Sequence, residues 1–167
     1  MKGTQVIVSA NPQGKFLEGT VVGTPKPGTM MQIQAGTEPT NGRHSYVPYG
    51  TTTNGGDGAP RQVIVLLEDA EQGGTYDTAY VTGKRGRLYC PIPGEELNVR
   101  MADISGTGSG TEDIAIGERL LIVEGTGKIS PVAVGLIASP VSYPFYSMET
   151  VTDMPAEQGI WVSVTGY

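Results

Sequence analysis

Side chains that could act as a nucleophile, a base or a metal ligand are sparse in this chain of 167 residues. His44 is its single histidine and Cys90 its single cysteine, which excludes a multi-histidine metal cluster and a zinc–thiolate site. A Cys90–His44 nucleophile–base pair is formally possible, because such partners need not be close in sequence. Cys90, however, ends an alternating stretch just before Pro91, and a cysteine buried in a strand behaves as a small hydrophobic residue. We therefore expect no enzyme activity and no catalytic, cofactor-binding or metal-binding residues.

A run of glycines and the scattered acidic residues resemble binding motifs only superficially. Gly106, Gly108 and Gly110 lack the last glycine of a dinucleotide-binding loop, and no Lys-Ser/Thr pair follows them as in a phosphate loop. The acidic residues do not have the order of an EF-hand calcium loop. We expect residues 105–111 to form a linker or a hairpin tip.

Composition and periodicity together favour an all-β fold. The 25 glycines and 12 prolines are about 22% of the chain, against roughly 12% in an average protein, and only 17% of residues are charged. Residues 31–34, 97–101 and 160–164 alternate between apolar and polar side chains, which is typical of strands with one buried face. The continuously apolar runs 63–67 and 120–123 suit central strands. We predict a small, turn-rich, β-tulip-like barrel or sandwich with few or short helices, because neither 66–72 nor 93–96 shows a helical period over three turns.

Glycine-rich and proline-rich stretches suggest how the chain is organised. Residues 1–20 contain Gly, Asn and Pro around two small apolar patches, and we predict an extended N-terminal arm there. Residues 21–167 then form one β-rich domain. An alternative is two intertwined halves, about 21–104 and 112–167, on either side of the glycine-rich linker.

Charge and hydropathy limit the partners and the compartment. The net charge is −6, and an acidic surface repels phosphate backbones, so we expect no nucleic-acid binding. No apolar run reaches the length of a membrane span. The apolar stretch within the first nine residues is also too short for a signal peptide. The lone cysteine fits assembly in a reducing cytoplasm.

Four aromatic residues lie outside the continuous apolar runs, and we predict that they contribute to a surface between subunits. Large aromatic side chains supply much of the contact energy at interfaces. Packing within an irregular core and a platform for stacking glycans are the alternatives. The four residues are Tyr143, Phe145, Tyr146 and Trp161.

The order of these segments resembles bacteriophage head decoration (cement) proteins, in particular the group of the lambda head-stabilising protein D. The similar stretch runs from about residue 20 to residue 100. It comprises a strand after a Pro-rich turn, a short strand into a loop, a central strand and two later ones, at 28–33, 46–50, 60–67, 75–81 and 86–91. Residues 116–137, 148–151 and 160–164 resemble a further module that is common in phage surface proteins.

The resemblance implies a structural role on a virion. Such proteins form trimers on the outer surface of the expanded head and clamp major capsid subunits, and they use no cofactor. By this resemblance the partners are the major capsid protein and further copies of this chain, assembled in the host cytoplasm. The arm residues Gln5, Val6, Ile7 and Val8 would add a strand to a capsid sheet edge. The alternative is a receptor-binding or glycan-binding module of a phage fibre or other surface appendage.

Overall fold

The computed structural model describes the greater part of the chain, and these residues form ten strands in two sheets. The described residues are 5–7, 12–34, 36, 39, 41–50, 63–69, 74–101, 113–123, 125–131, 145–152 and 158–165. No helix occurs among them. The predicted all-β class is confirmed, and Glu96 begins a strand.

The first half of the chain forms the first sheet. Its strands are β1 (Lys15–Val21), β2 (Met31–Ile33), β3 (Ser45–Pro48), β4 (Val65–Leu66) and β5 (Arg85–Cys90), in the order β2-β3-β1-β5-β4. Strands β1 and β3 are parallel, and the other neighbours are antiparallel. Residues 15–20, which the sequence placed in an arm, thus belong to a strand at the middle of this sheet.

The second half of the chain forms the second sheet. Its strands are β6 (Glu96–Arg100), β7 (Arg119–Val123), β8 (Lys128–Pro131), β9 (Phe145–Ser147) and β10 (Gly159–Val164), in the antiparallel order β6-β10-β9-β7-β8. The chain passes from one sheet to the other between Cys90 and Glu96. The linker predicted at 105–111 lies outside the described residues, and the division into two halves stays a prediction.

Both sheets curl, so that their edge strands approach each other. An isolated bridge between Met30 and Val65 joins the two ends of the first sheet, and a bridge between Met101 and Ile129 does the same in the second. These are isolated bridges and not continuous strand ladders, so neither sheet forms a closed barrel and the arrangement is sandwich-like. Of the two predicted architectures, the sandwich is therefore the one observed.

The larger of two apolar clusters contains residues from both sheets. Tyr89 and Val65 of the first sheet join Leu97, Val99 and Ile160 of the second, and all five side chains are fully buried. Burying a side chain of this kind contributes about 1.5–3 kcal/mol, so this shared core holds the sheets together. A second cluster lies on the opposite face of the first sheet and includes Val21, Tyr46, Leu66, Leu88 and Cys90.

The alternation predicted from the sequence is confirmed on β6 and β10, where Leu97, Val99, Ile160 and Val162 face the core. The prediction of a wetter opposite face is wrong on β6. Asn98 and Arg100 are also buried, because residues 27–28 and Tyr76 contact them.

The two predicted central strands differ in outcome. Strand β7, from the run 120–123, lies inside the second sheet between β8 and β9, as predicted. The run 63–67 is buried on both faces as predicted, but β4 stands at the end of its sheet. Its outer backbone groups are nevertheless paired, because Leu66 donates to the Thr29 carbonyl (3.0 Å) and Met31 donates to the Ile64 carbonyl (2.8 Å).

Candidate interaction surfaces

His44 and Cys90, the two residues considered for catalysis, lie in different environments. Cys90 ends β5 and is buried in the second apolar cluster, whereas the His44 side chain is exposed just before β3. Burial raises the pKa of the Cys90 thiol, and a positive charge at Lys15 only partly opposes this effect. A raised pKa reduces the thiolate fraction, which is the opposite of the environment around reactive cysteines.

Metal-ligating side chains are dispersed in the described part of the chain. Across these residues, no three His, Cys, Asp or Glu side chains come together as a cation site would require. The same ranges contain no helix with the length and apolar character needed to cross a membrane. The glycine-rich segment around Gly108 lies outside the described residues.

The predicted contact arm has partners within its own chain. Val6 is fully buried in the larger core cluster, and its carbonyl accepts a hydrogen bond from the Asn98 amide on β6 (2.7 Å). Ile7 forms a bridge with Leu97, while Gln5 is exposed and Val8 lies outside the described residues. The segment therefore extends the free edge of β6. Contact of this segment with a capsid stays a prediction. To pair with a capsid strand through the same backbone groups, the segment would first have to release its hydrogen bonds to β6.

A buried carboxylate fixes the chain between this segment and β1. The Glu95 carboxylate accepts hydrogen bonds from the Tyr89 hydroxyl (2.7 and 2.8 Å), the Ile92 amide (2.9 Å), the Gly14 amide (3.2 Å) and the Gln13 amide. Burial raises the pKa of Glu95, but these hydrogen bonds outweigh burial and hold it below its ordinary value. This role of Glu95 is not predictable from residue types, because most of the donors are backbone amides.

The predicted interface aromatics are divided between the core and the outer face of the second sheet. Phe145 pairs with Val164 and is fully buried in the core of its own chain, because strand alternation turns it inward. This placement corrects the view of Phe145 as a surface residue. Trp161 is 37% exposed, and Tyr146, half-buried, is its diagonal neighbour on the same outer face. Tyr143 lies outside the described residues, and the inter-subunit role stays a prediction.

Further apolar side chains are exposed at turns and strand ends. Ile116, in the turn before β7, is 67% exposed, and Val81, in the turn before β5, is 61% exposed. Such residues are common on monomers when they are scattered singly. Those with large exposed side chains are Phe16, Ile33, Val81, Ile92, Ile116 and Trp161.

Comparisons with known proteins reveal a likeness in fold. The chain matches no family model and no curated protein. Among solved structures, it is similar to the N base of the head fiber gp8.5 in bacteriophage phi29, with a TM-score of 0.53 and 10% sequence identity. The alignment covers 92% of this chain and 95% of that chain. At this identity the likeness concerns the fold, and it extends over both sheets.

Proposed function

We propose that this chain is a structural protein of a bacteriophage head and that it acts by contact rather than by catalysis. The observation that carries the proposal is the similarity over 92% of the chain to the base of a phage head fiber. Because the aligned region spans nearly all of both chains, a local motif does not account for the likeness. The order of sequence segments, which resembles that of phage cement proteins, independently supports the same class of protein.

The finer proposal is a decoration protein that binds the outer surface of the expanded head as a homotrimer and bridges major capsid subunits. A trimer engages three capsid subunits at once, so modest contacts at each site add up to firm attachment. Exposed apolar side chains such as Ile116 and Trp161 supply surface for these contacts. This mechanism needs added interface area and no bound cofactor.

The second candidate is the attachment or receptor-binding module of a head appendage. The specific observation in its favour is that the similar structure is itself the base of a fiber. A module of this kind occupies selected positions on the head, whereas a cement protein covers the lattice. The aromatic residues of the outer face, the exposed Trp161 and the half-buried Tyr146, would then serve for stacking on sugar rings.

Heat treatment of heads separates the two candidates. Expanded heads that lack the protein are mixed with the purified chain, and the bound mass per head and the temperature of DNA release are measured. We expect binding near lattice stoichiometry and a higher release temperature. Sparse binding with an unchanged release temperature, together with saturable binding of oligosaccharides, would favour the appendage module.

A further inference from the structure

A small pocket opens where turns from the two sheets meet. Its volume is about 250 Å³, and its lining includes three basic residues and three threonines: Lys26, Arg100, Lys128, Thr24, Thr29 and Thr126. None of the residues that line it in the described part of the chain is acidic. The chain as a whole carries a net charge of −6, whereas the lining of this pocket is positively charged.

The first wall of the pocket is the turn that contains Pro25, Lys26 and Pro27. The Lys26 carbonyl accepts hydrogen bonds from the amide (3.2 Å) and the hydroxyl (2.7 Å) of Thr29. Gly28 then ties the turn to both sheets, because its amide donates to Leu66 (2.8 Å) and its carbonyl accepts from Arg100 (3.0 Å). The two prolines also restrict the backbone φ angles of the turn, so the conformation of this wall does not depend on a bound ligand.

The second wall is the turn between β7 and β8, which carries Thr126, together with Lys128 at the start of β8. The Gly127 carbonyl accepts a hydrogen bond from the Met30 amide (2.6 Å), and the Gly125 amide donates to the Tyr49 carbonyl (2.9 Å). This turn of the second sheet is thus fastened onto the first sheet. The two lysines stand on opposite walls as a result of this docking.

Arg100 brings a third positive charge to the pocket and is 3% exposed. Its Nε donates to the Pro27 carbonyl (3.0 Å), and its Nη2 donates to the Tyr76 carbonyl and to the Asp77 carboxylate (2.9 Å). The guanidinium carbon lies 3.9 Å from the centre of the Tyr76 ring. Asp77 is 80% exposed on its side chain, so it balances part of the charge of Arg100 from the solvent side.

We propose that this pocket binds a compact oxyanion, presented as the carboxylate or phosphate group of a small molecule. Ammonium and guanidinium groups form short, charge-assisted hydrogen bonds with such oxygens. The Thr24 hydroxyl adds a donor to the pocket lining, whereas the Thr29 hydroxyl already donates to the Lys26 carbonyl. The volume is just below the usual range for drug-sized ligands, which suits a small anion. The proposal does not depend on the role of the chain in a phage head.

The test is a calorimetric titration of the full chain with inorganic phosphate, with glucuronate and with uncharged glucose. We expect saturable binding of at least one anion and none of glucose. Binding of phosphate alone or of glucuronate alone identifies the head group that the pocket prefers. Absence of saturable binding of both anions would overturn the proposal.

Charge variants show whether an observed anion occupies this pocket. The double variant Lys26→Gln/Lys128→Gln is expected to lose about tenfold or more in affinity, a change of about 1.4 kcal/mol. The matched control Lys15→Gln/Lys84→Gln also removes two charges, but its residues are exposed and lie outside the pocket lining. An equal loss in both variants, or no loss in the first, would contradict the proposal.

A third variant is expected to bind the anion more tightly. Asp77→Asn keeps an oxygen for Arg100 but removes the competing negative charge, so anion affinity should rise by a few-fold. Melting temperatures of all variants are measured alongside the titrations. If the double lysine variant melts early, each single variant repeats the test. A decrease in affinity for Asp77→Asn at an unchanged melting temperature would count against the pocket as the site.

Discussion

At the scale of single residues, Glu95 joins three parts of the chain through one carboxylate. It accepts hydrogen bonds from residues 13–14, from Tyr89 on β5 and from the Ile92 amide. A buried carboxylate with several donors is stabilising in its ionised form. Its contribution to stability must therefore depend on pH.

Replacement of Glu95 by Gln should lower the free energy of unfolding at neutral pH by about 1–3 kcal/mol, because charge-assisted bonds are lost. The pKa of Glu95 is lowered in the folded chain, whereas an unfolded glutamate has a pKa of about 4.3. Its stabilising effect is thus complete above that value and is lost as the pH falls through the folded pKa. Urea denaturation across this pH window should show the difference between wild type and variant shrinking in acid.

The control for this prediction is Glu18→Gln, which removes an exposed carboxylate that pairs with Arg85. Exposed ion pairs contribute little, so this variant should stay close to wild type at every pH. A Glu95→Gln variant as stable as Glu18→Gln at neutral pH would refute the anchoring role of Glu95.

Gly127 is required by its backbone conformation and by its neighbour. Its φ is +63°, and a Cβ at this position would overlap the Met30 carbonyl oxygen. Gly127→Ala should therefore lower the free energy of unfolding by about 2–4 kcal/mol, combining left-handed strain with overpacking. Gly125 is the matched control in the same turn: its φ is +80°, but a Cβ there meets open space, so Gly125→Ala should cost only about 1 kcal/mol. Equal melting temperatures for the two variants would contradict the docking of this turn.

At the scale of elements, the segment around Val6 acts as an added piece of the second sheet. Val6→Ala should lower the free energy of unfolding by about 1.5–3 kcal/mol, because the Val6 side chain is fully buried. Val81→Ala, at a valine that is 61% exposed, is the control and should change stability little. Chemical denaturation measures both, and a Val6→Ala variant indistinguishable from Val81→Ala would show that this segment does not pack on β6.

Elements whose side chains alternate between apolar and polar residues are predictable from the sequence, whereas elements held by backbone hydrogen bonds are not. Strands β6 and β10 were predictable because one face alternates into the core. Strand β1 begins within residues 1–20, where Gly, Asn and Pro around two small apolar patches predict an arm. The strand has no apolar stripe to contradict that prediction, since Lys15, Phe16 and Glu18 are all exposed in the fold. The pairing of Val6 with β6 and the hydrogen bonds of Glu95 involve main-chain groups, which leave no mark in residue types.

The surfaces could be predicted only in part for the same reason. Alternation correctly placed Trp161 on the outer face, opposite Ile160 and Val162. It did not separate Phe145 from Tyr146, because the start of a three-residue strand has no clear period. The basic pocket was not predictable, since Lys26, Arg100 and Lys128 lie far apart in sequence and meet only when the two sheets dock.

At the scale of the whole molecule, the shared core predicts that the two sheets unfold together. The single tryptophan, Trp161, reports on the second sheet, and the single cysteine, Cys90, reports on the first. Trp161 fluorescence and the labelling of the Cys90 thiol should therefore give the same midpoint in urea. Two separate midpoints would show that the two sheets unfold independently. We do not expect this result, because Tyr89 of the first sheet and Leu97 of the second belong to one core.

Co-sedimentation tests whether this chain attaches to a phage head as a structural subunit. The molar mass of the purified chain in solution is first determined by sedimentation equilibrium. The chain is then centrifuged together with expanded heads that lack it. The Trp161→Ala/Tyr146→Ala variant is compared with Phe16→Ala, which removes an exposed aromatic residue from the other sheet. We expect a trimer that pellets with the heads at near-lattice stoichiometry, with assembly weakened in the double variant and kept in the control. A monomer that stays in the supernatant would contradict this expectation.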